Sequence, residues 1–259
     1  MLEHAPGWDA ALAEASGRRA ATQGARQRRP LSPQPGMRVT DGRRSWVNFS
    51  GNDYLGLAAE PALAEALADA AKRHGVGSGA SALVTGYSPA HQRLEDGLAD
   101  YLEREAVLLC SSGYLANLAV STSLATRGDC IVQDRLCHAS LIDAARLSGA
   151  RLRRYPHADE AGMERQLAAA GTGRTMLVTD GVFSMDGDVA PLAPMAGLAA
   201  RHGALLVVDD AHGIGVHGPG GRGSAFQAGL GQDEVPVLVG TLGKAFGSCG
   251  AFVAGSRAL

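Results

Sequence analysis

The stretch Pro236–Ala254, PVLVGTLGKAFGSCGAFVA, decides how the rest of the chain is read. Val235, Val237, Leu238 and Val239 form an apolar run that reads as a buried strand. The run breaks at Gly240-Thr241-Leu242-Gly243-Lys244-Ala245-Phe246-Gly247, and a second apolar run, Ala251–Ala254, follows. One lysine is therefore held on a glycine-punctuated turn between two buried segments. Of the 24 lysines and arginines only Lys72 and Lys244 are lysine, so arginine is the default surface cation here. A lysine in that setting suggests that an amine is needed. Burial disfavours its charged form, which suits carbonyl addition and Schiff-base chemistry. A lysine snorkelling from a strand end would carry the same local sequence. A phosphate-binding P-loop does not fit, because its pattern requires Gly at 238 and Ser or Thr at 245, where this chain has Leu238 and Ala245.

Composition narrows the class. The 259 residues make one large α/β domain or one and a half smaller ones, and 46% hydrophobic with 19% charged residues are globular values with room for a sizeable core. The net charge of −2 argues against a nucleic-acid partner. Residues 1–50 are arginine-rich, but Glu3, Asp9 and Glu14 interrupt the basic run, so a solvated helical or extended segment is expected rather than a transit peptide or RNA arm. No apolar run approaches bilayer length, so no membrane partner is expected. Cys110, Cys130, Cys137 and Cys249 lack CxxC spacing and read as reduced core cysteines of a cytoplasmic protein.

Outward from the lysine, the pattern alternates. A helix is expected over Trp8–Arg29, a short strand over Arg44–Phe49, and amphipathic helices after Pro61 and Ser88-Pro89. Gly75-Val76-Gly77-Ser78-Gly79 resembles half a dinucleotide fingerprint but follows a helix rather than a strand, and is rejected. Strands are expected at Ala106–Cys110, Cys130–Gln133, Arg151–Tyr155, Thr175–Thr179 and Ala204–Val208, with helices between them. Such alternation implies a mostly parallel sheet with helices on both faces. In these sheets ligands sit at the carboxyl ends of the strands. Ser111–Tyr114, His138, Ser184, Asp209 with His212, and Lys244 all fall there. Ser112-Gly113-Tyr114 opens a helix whose free N–H groups suit a phosphate, or simply start a helix. His138 reads either as a satisfied core histidine or as a ring face for a ligand. Asp209, His212 and His217 have metal-ligating side chains, but no water-activating Glu motif accompanies them and no metal is expected.

Five stretches carry a specific resemblance: Gly77–Glu95 (GSGASALVTGYSPAHQRLE), His138–Ser148 (HASLIDAARLS), Gly181–Leu192 (GVFSMDGDVAPL), Val208–Gly223 (VDDAHGIGVHGPGGRG) and Gly240–Gly247 (GTLGKAFG). The chain resembles the α-oxoamine synthases, acyltransferases of the fold-type I pyridoxal-phosphate class, from Val47 to Val253. That likeness implies a fold-type I large domain over residues 51–259. It implies pyridoxal 5'-phosphate as cofactor, held by Lys244, which then acts as acid and base at the substrate Cα. Asp209 would face the pyridinium nitrogen, His212 and Ser184 the ring oxygen, and His138 the ring face. The Gly113 and Tyr114 backbone and the Thr241 hydroxyl would hold the phosphate. Asn52 would grip the amino-acid carboxylate, with Arg26 on the acyl side. The implied reaction condenses L-alanine with a pimeloyl thioester, of coenzyme A or a carrier protein, in a homodimer of the biotin route. Sister enzymes that use glycine or serine share every cofactor residue, and a non-catalytic chain that binds cofactor weakly is the reading from another class. In the family, sheet strands and a C-terminal domain follow the position of Leu259, so the large domain is expected to be incomplete and turnover to be absent.

Overall fold

The computed structural model describes residues 7–22, 24, 28–34 and 37–259. Its contacts divide the chain into two units, Met1–Ser50 and Gly51–Leu259. In the first, helix α1 (Trp8–Ala21) buries no side chain. It ends earlier than the expected Arg29, where the Thr22 hydroxyl donates to the Arg18 carbonyl. Strands β1 (Ser32–Gln34), β2 (Arg38–Thr40) and β3 (Ser45–Val47) form an antiparallel sheet in that order.

The second unit opens with α2 (Pro61–His74) and α3 (Pro89–Leu102), each with proline in its first turn, where the missing N–H costs nothing. Then strands and helices alternate: β4 (Ala106–Cys110), α4 (Gly113–Leu124), β5 (Cys130–Asp134), α5 (Ala139–Ser148), β6 (Arg151–Tyr155), α6 (Glu160–Ala168) and β7 (Thr175–Asp180). The series continues through α7 (Leu192–His202), β8 (Ala204–Asp209), the short α8 (Ser224–Gln227), β9 (Val237–Thr241) and β10 (Ala251–Gly255). The seven strands are ordered β4-β10-β9-β8-β7-β5-β6. All pairings are parallel except those of β10, which runs antiparallel to β9 and β4. β5 and β7 are buried along their whole length, which is why Cys130–Val132 and Met176–Val178 are apolar without alternation.

Side chains alternate across the sheet into two cores. Leu206 and Val208 join residues of α3, α6 and α7 on one face, while Val207 and Val239 join Ala116, Leu141 and Ala145 of α4 and α5 on the other. Gly240 lets the Phe252 ring of β10 lie against the β9 backbone, in space a Cβ would fill. The chain moves from β5 out to β6, then returns to β7 on the opposite side of β5, so its direction of winding reverses there. That reversal, at the carboxyl ends of the parallel strands, is where an open α/β sheet leaves a crevice. Two expectations about cysteines need correction. All four thiols are free, but Cys249, on the turn after β9, is exposed, and Cys110, at the end of the edge strand β4, is only half-buried.

Candidate active site

β8 delivers Asp209 to the α4 side of the sheet by strand alternation. Its Oδ2 accepts from Asn117 Nδ2 at 2.6 Å and its Oδ1 from the Ala211 N–H at 3.1 Å. Asp210 turns elsewhere. It is fully buried and accepts from Ser224 N at 2.7 Å and Ser224 Oγ at 2.8 Å, and burial raises its carboxyl to about 7.

A hollow of about 200 Å³ opens beside Asp209, at the first turn of α4. Gly113, Tyr114, His138, Asp209, His212, Thr241 and Lys244 all line it, although they come from four separate strand ends. Ser112 caps α4 through Leu115 N, and the unpaired N–H groups of the helix start lie at the hollow's edge. Tyr114 donates its phenol proton to Asp143 Oδ2 at 2.9 Å, which leaves its backbone as the part available to a ligand.

Lys244 enters on the turn between β9 and β10. Hydrogen bonds from Leu242 N to Gly250 O, Ser248 N to Leu242 O and Gly247 N to Lys244 O close that turn. The Lys244 Nζ lies 2.7 Å from His212 Nε2, and His212 Nδ1 lies 2.5 Å from Tyr54 Oη. Burial lowers the proton affinity of the amine, opposed by the charges of Asp209 and Asp180. Burial, then the neighbouring Lys244 and His138, push His212 down to about 4. His212 is therefore neutral at pH 7 and places no second cation against the amine.

That depression has a stability consequence. Between about pH 6.5 and 4 the unfolded chain binds a proton at His212 that the folded chain refuses, so stability should fall as pH drops through this window. Discounted for its half-exposure, the effect is about 1–2 kcal/mol. Urea unfolding at pH 7 and pH 4.5 should show the loss, and His212→Asn should lessen it; equal pH sensitivity in both chains would disprove the attribution.

His138 caps α5, its Nδ1 accepting from Ser140 N at 3.3 Å and meeting Ser140 Oγ at 2.7 Å. Asn117 Nδ2 donates to Ser140 Oγ at 2.9 Å as well as to Asp209. The hydroxyl accepts from the amide, and its own proton points to His138 Nδ1. The His138 backbone N–H donates to Asp180 Oδ2 at 2.8 Å. Asp180 pairs in register with Asp209, and burial with that neighbouring charge raises it.

The remaining expected residues fall differently. Thr241 lines the hollow, but its hydroxyl donates to Gly250 O at 3.0 Å and must leave that carbonyl to donate to a ligand. Ser184 lines an adjoining hollow of about 200 Å³ with Tyr54, Phe183 and His217, and His212 stands between the two spaces. Asn52 is exposed and lines neither; its Oδ1 is 3.5 Å from Tyr54 Oη. Arg26 lies outside the described residues. His217 is committed to Gln227 at 2.8 Å, and no group of three metal-ligating side chains occurs among the described residues.

Sequence reasoning missed Asn117, Ser140, Asp180 and Tyr54. Asn117 stands one helical turn after Gly113 and Ser140 two residues after His138, spacings that carry each toward the neighbour it serves. Asp180 ends a strand as Asp209 does, the same strand-end signal.

A sheet of this order with a lysine and a carboxylate facing one hollow defines the fold-type I class of pyridoxal-phosphate enzymes. Residues 44–259 match the model of the aminotransferase class I and II family, and the chain belongs to that family. Among curated relatives, 8-amino-7-oxononanoate synthase of Alkalilimnicola ehrlichii is 58% identical over 221 residues, covering 85% of this chain and 56% of that protein. The crystal structure of 8-amino-7-oxononanoate synthase from Francisella tularensis aligns with 33% identity and a TM-score of 0.70, over 81% of this chain and 58% of that one. A serine palmitoyltransferase from S. paucimobilis with a bound pyridoxal-phosphate–myriocin adduct aligns at 27% identity and a TM-score of 0.86, over 95% and 62%. The chain spans little more than half the length of the curated relatives it matches. Among the described residues, no helix is long and apolar enough to cross a membrane.

Proposed function

We propose that this chain binds pyridoxal 5'-phosphate in the hollow beside Asp209 and serves the condensation of L-alanine with a pimeloyl thioester. The products are 8-amino-7-oxononanoate, carbon dioxide and the free thiol of coenzyme A or a carrier protein. One observation carries the cofactor reading. Lys244 and Asp209, from different strand ends, face one hollow at the unpaired N–H groups that open α4. The donor set suits the group: an amine of lowered proton affinity, a carboxylate with both oxygens anchored, and a helix start for a phosphate. The substrate reading rests on the 58% identical relative, against 27% for the serine palmitoyltransferase.

When bound, the cofactor supplies an electron sink for a carbanion at the amino acid's Cα. Lys244, neutral more readily than a solvated lysine, takes the Cα proton and returns one to the product. Asp209, held in place by Asn117, would face the ring nitrogen. His138, its backbone fixed by Asp180, would cover the ring face, and His212 would hydrogen-bond the ring oxygen.

Titrating the chain with pyridoxal phosphate should raise visible absorbance. CoA release from pimeloyl-CoA with L-alanine is then compared with glycine plus acetyl-CoA and serine plus palmitoyl-CoA, on this chain and on one extended to its relatives' length. No absorbance change would dispose of the cofactor reading, and a preference for either other pair would dispose of the substrates.

We place the protein in the cytoplasm as a homodimer. Its thiols are unpaired, and Val76, Leu83 and Val84 stand largely exposed, apolar surface that a second copy would cover. A sedimentation mass of one chain would rule the dimer out.

A further inference from the structure

Between β7 and α7 the chain folds back on itself as a tight hairpin. Val182 bridges Val189, Phe183 N donates to Asp188 O at 2.9 Å, and Gly187 N donates to Phe183 O at 2.8 Å. The base of the hairpin, Gly181–Phe183, is buried, whereas Ser184–Gly187 at its tip are exposed. This hairpin forms one wall of the hollow that Ser184 shares with His212. Its own hydrogen bonds set its shape but do not attach the tip side to the sheet. That attachment comes from His157, just past the end of β6.

Both ring nitrogens of His157 meet a carboxylate: Nδ1 is 3.1 Å from Asp134 Oδ1 and Nε2 is 2.8 Å from Asp188 Oδ2. The ring also stands edge-on to Phe183, with centroids 4.5 Å apart and planes at 89°. A carboxylate only accepts, so both bonds are satisfied together only when both nitrogens carry hydrogen, which is the imidazolium. Asp134 is a fixed anchor. It is almost wholly buried at the end of β5, and it also accepts from Leu136 N at 2.7 Å and Ala158 N at 2.9 Å. Asp188 is the movable end, on the hairpin itself.

We infer that His157 is a positioning residue, a charged clamp that fastens the Ser184 hairpin to the end of β5 and releases it on losing a proton. The charged groups facing the ring are Asp134 and Asp188; Asp159, two residues along, is turned to Arg165. Burial alone would lower the proton affinity of His157, but hydrogen bonds and charge from the two carboxylates overcome it and raise it. A raised value means the clamp is complete below about pH 6.5 and is lost as pH rises through the value in the folded chain. The clamp stands on this geometry alone, and only its effect on a cofactor's ring oxygen, through Ser184, rests on the proposed function.

Amide hydrogen exchange of the chain without cofactor tests it, with rates corrected for intrinsic exchange. From pH 6 to pH 8.5 the protection of Phe183, Gly187 and Ala190 should fall severalfold. Asp188→Ala, at a half-exposed position, should show the lower protection already at pH 6 and no further dependence on pH. Asp188→Asn, which keeps an acceptor oxygen without the charge, should lie between them. Helix α7 serves as the internal reference. Full protection of the hairpin in Asp188→Ala, a flat pH profile in the parent chain, or equal loosening of α7 would each overturn the clamp.

Discussion

Lys244→Ala should abolish attachment of pyridoxal phosphate that survives borohydride reduction, while Lys72→Ala leaves it intact. The two amines differ in every respect that governs addition to an aldehyde. Lys72 sits in the last turn of α2, exposed, beside Asp69 at 3.4 Å. It lines neither hollow of the candidate site. Lys244 is half-buried, its charged form is disfavoured by desolvation, and its one close neighbour is a histidine that stays neutral. It also stands in the same hollow as the carboxylate and the helix start that would hold the other parts of the cofactor. Peptide mapping after reduction should find the label within Thr241–Gly247. Exchange of the alanine Cα hydrogen with solvent deuterium should drop by about 10²–10⁴-fold in Lys244→Ala, the range for removing a general base. A label on Lys72, or exchange that survives the loss of Lys244, would refute the assignment.

Much of this site was legible before the fold was known, because the strand-end rule and an isolated lysine are both local signals. The helices and strands of residues 106–255 fall close to where their periodicity puts them, even β6, where Leu152 and Tyr155 stand among three arginines. What failed has physical causes. Helix α1 was expected to run to Arg29 because only Pro30 looked like a stop. It buries nothing, so no packing extends it past Thr22. The antiparallel direction of β10 was also readable: the Leu242–Gly250 link is too short for the crossover that a parallel neighbour needs. Asn117 and Ser140 could not be found by type alone. Each is an ordinary helical polar residue until the sheet brings β8 against α4 and α5.

Asp209 and Asp210, adjacent in sequence, should separate cleanly under the same substitution. At 210 the carboxylate holds Ser224 by its N–H and its hydroxyl, in a pocket walled by Gly181, Gly213 and Gly223, at each of which a Cβ would collide with it. An asparagine there can keep both bonds, because its oxygen accepts from Ser224 N and its amide donates to a hydroxyl that also accepts. Burial already raises Asp210 to about 7, so removing its charge sacrifices little. Asp210→Asn should therefore unfold within about 1 kcal/mol of the parent, whereas Asp210→Ala should lose about 2–4 kcal/mol by stranding both Ser224 donors and opening a void. At 209 both oxygens accept from N–H groups, the Asn117 side-chain amide and the backbone N–H of Ala211, of which the second cannot reverse. An amide placed there sets donor against donor, and Asn117 can relieve the conflict only by turning its oxygen inward and giving up Ser140. Asp209→Asn should thus cost about 1–2 kcal/mol. It should also slow Cα hydrogen exchange of bound alanine by about 10²-fold or more, since a fixed charge aimed at the ring is lost. Urea unfolding and deuterium exchange, measured on both variants, give four numbers. If Asp210→Asn slowed exchange as far as Asp209→Asn, the assignment of the two carboxylates would have to be reversed.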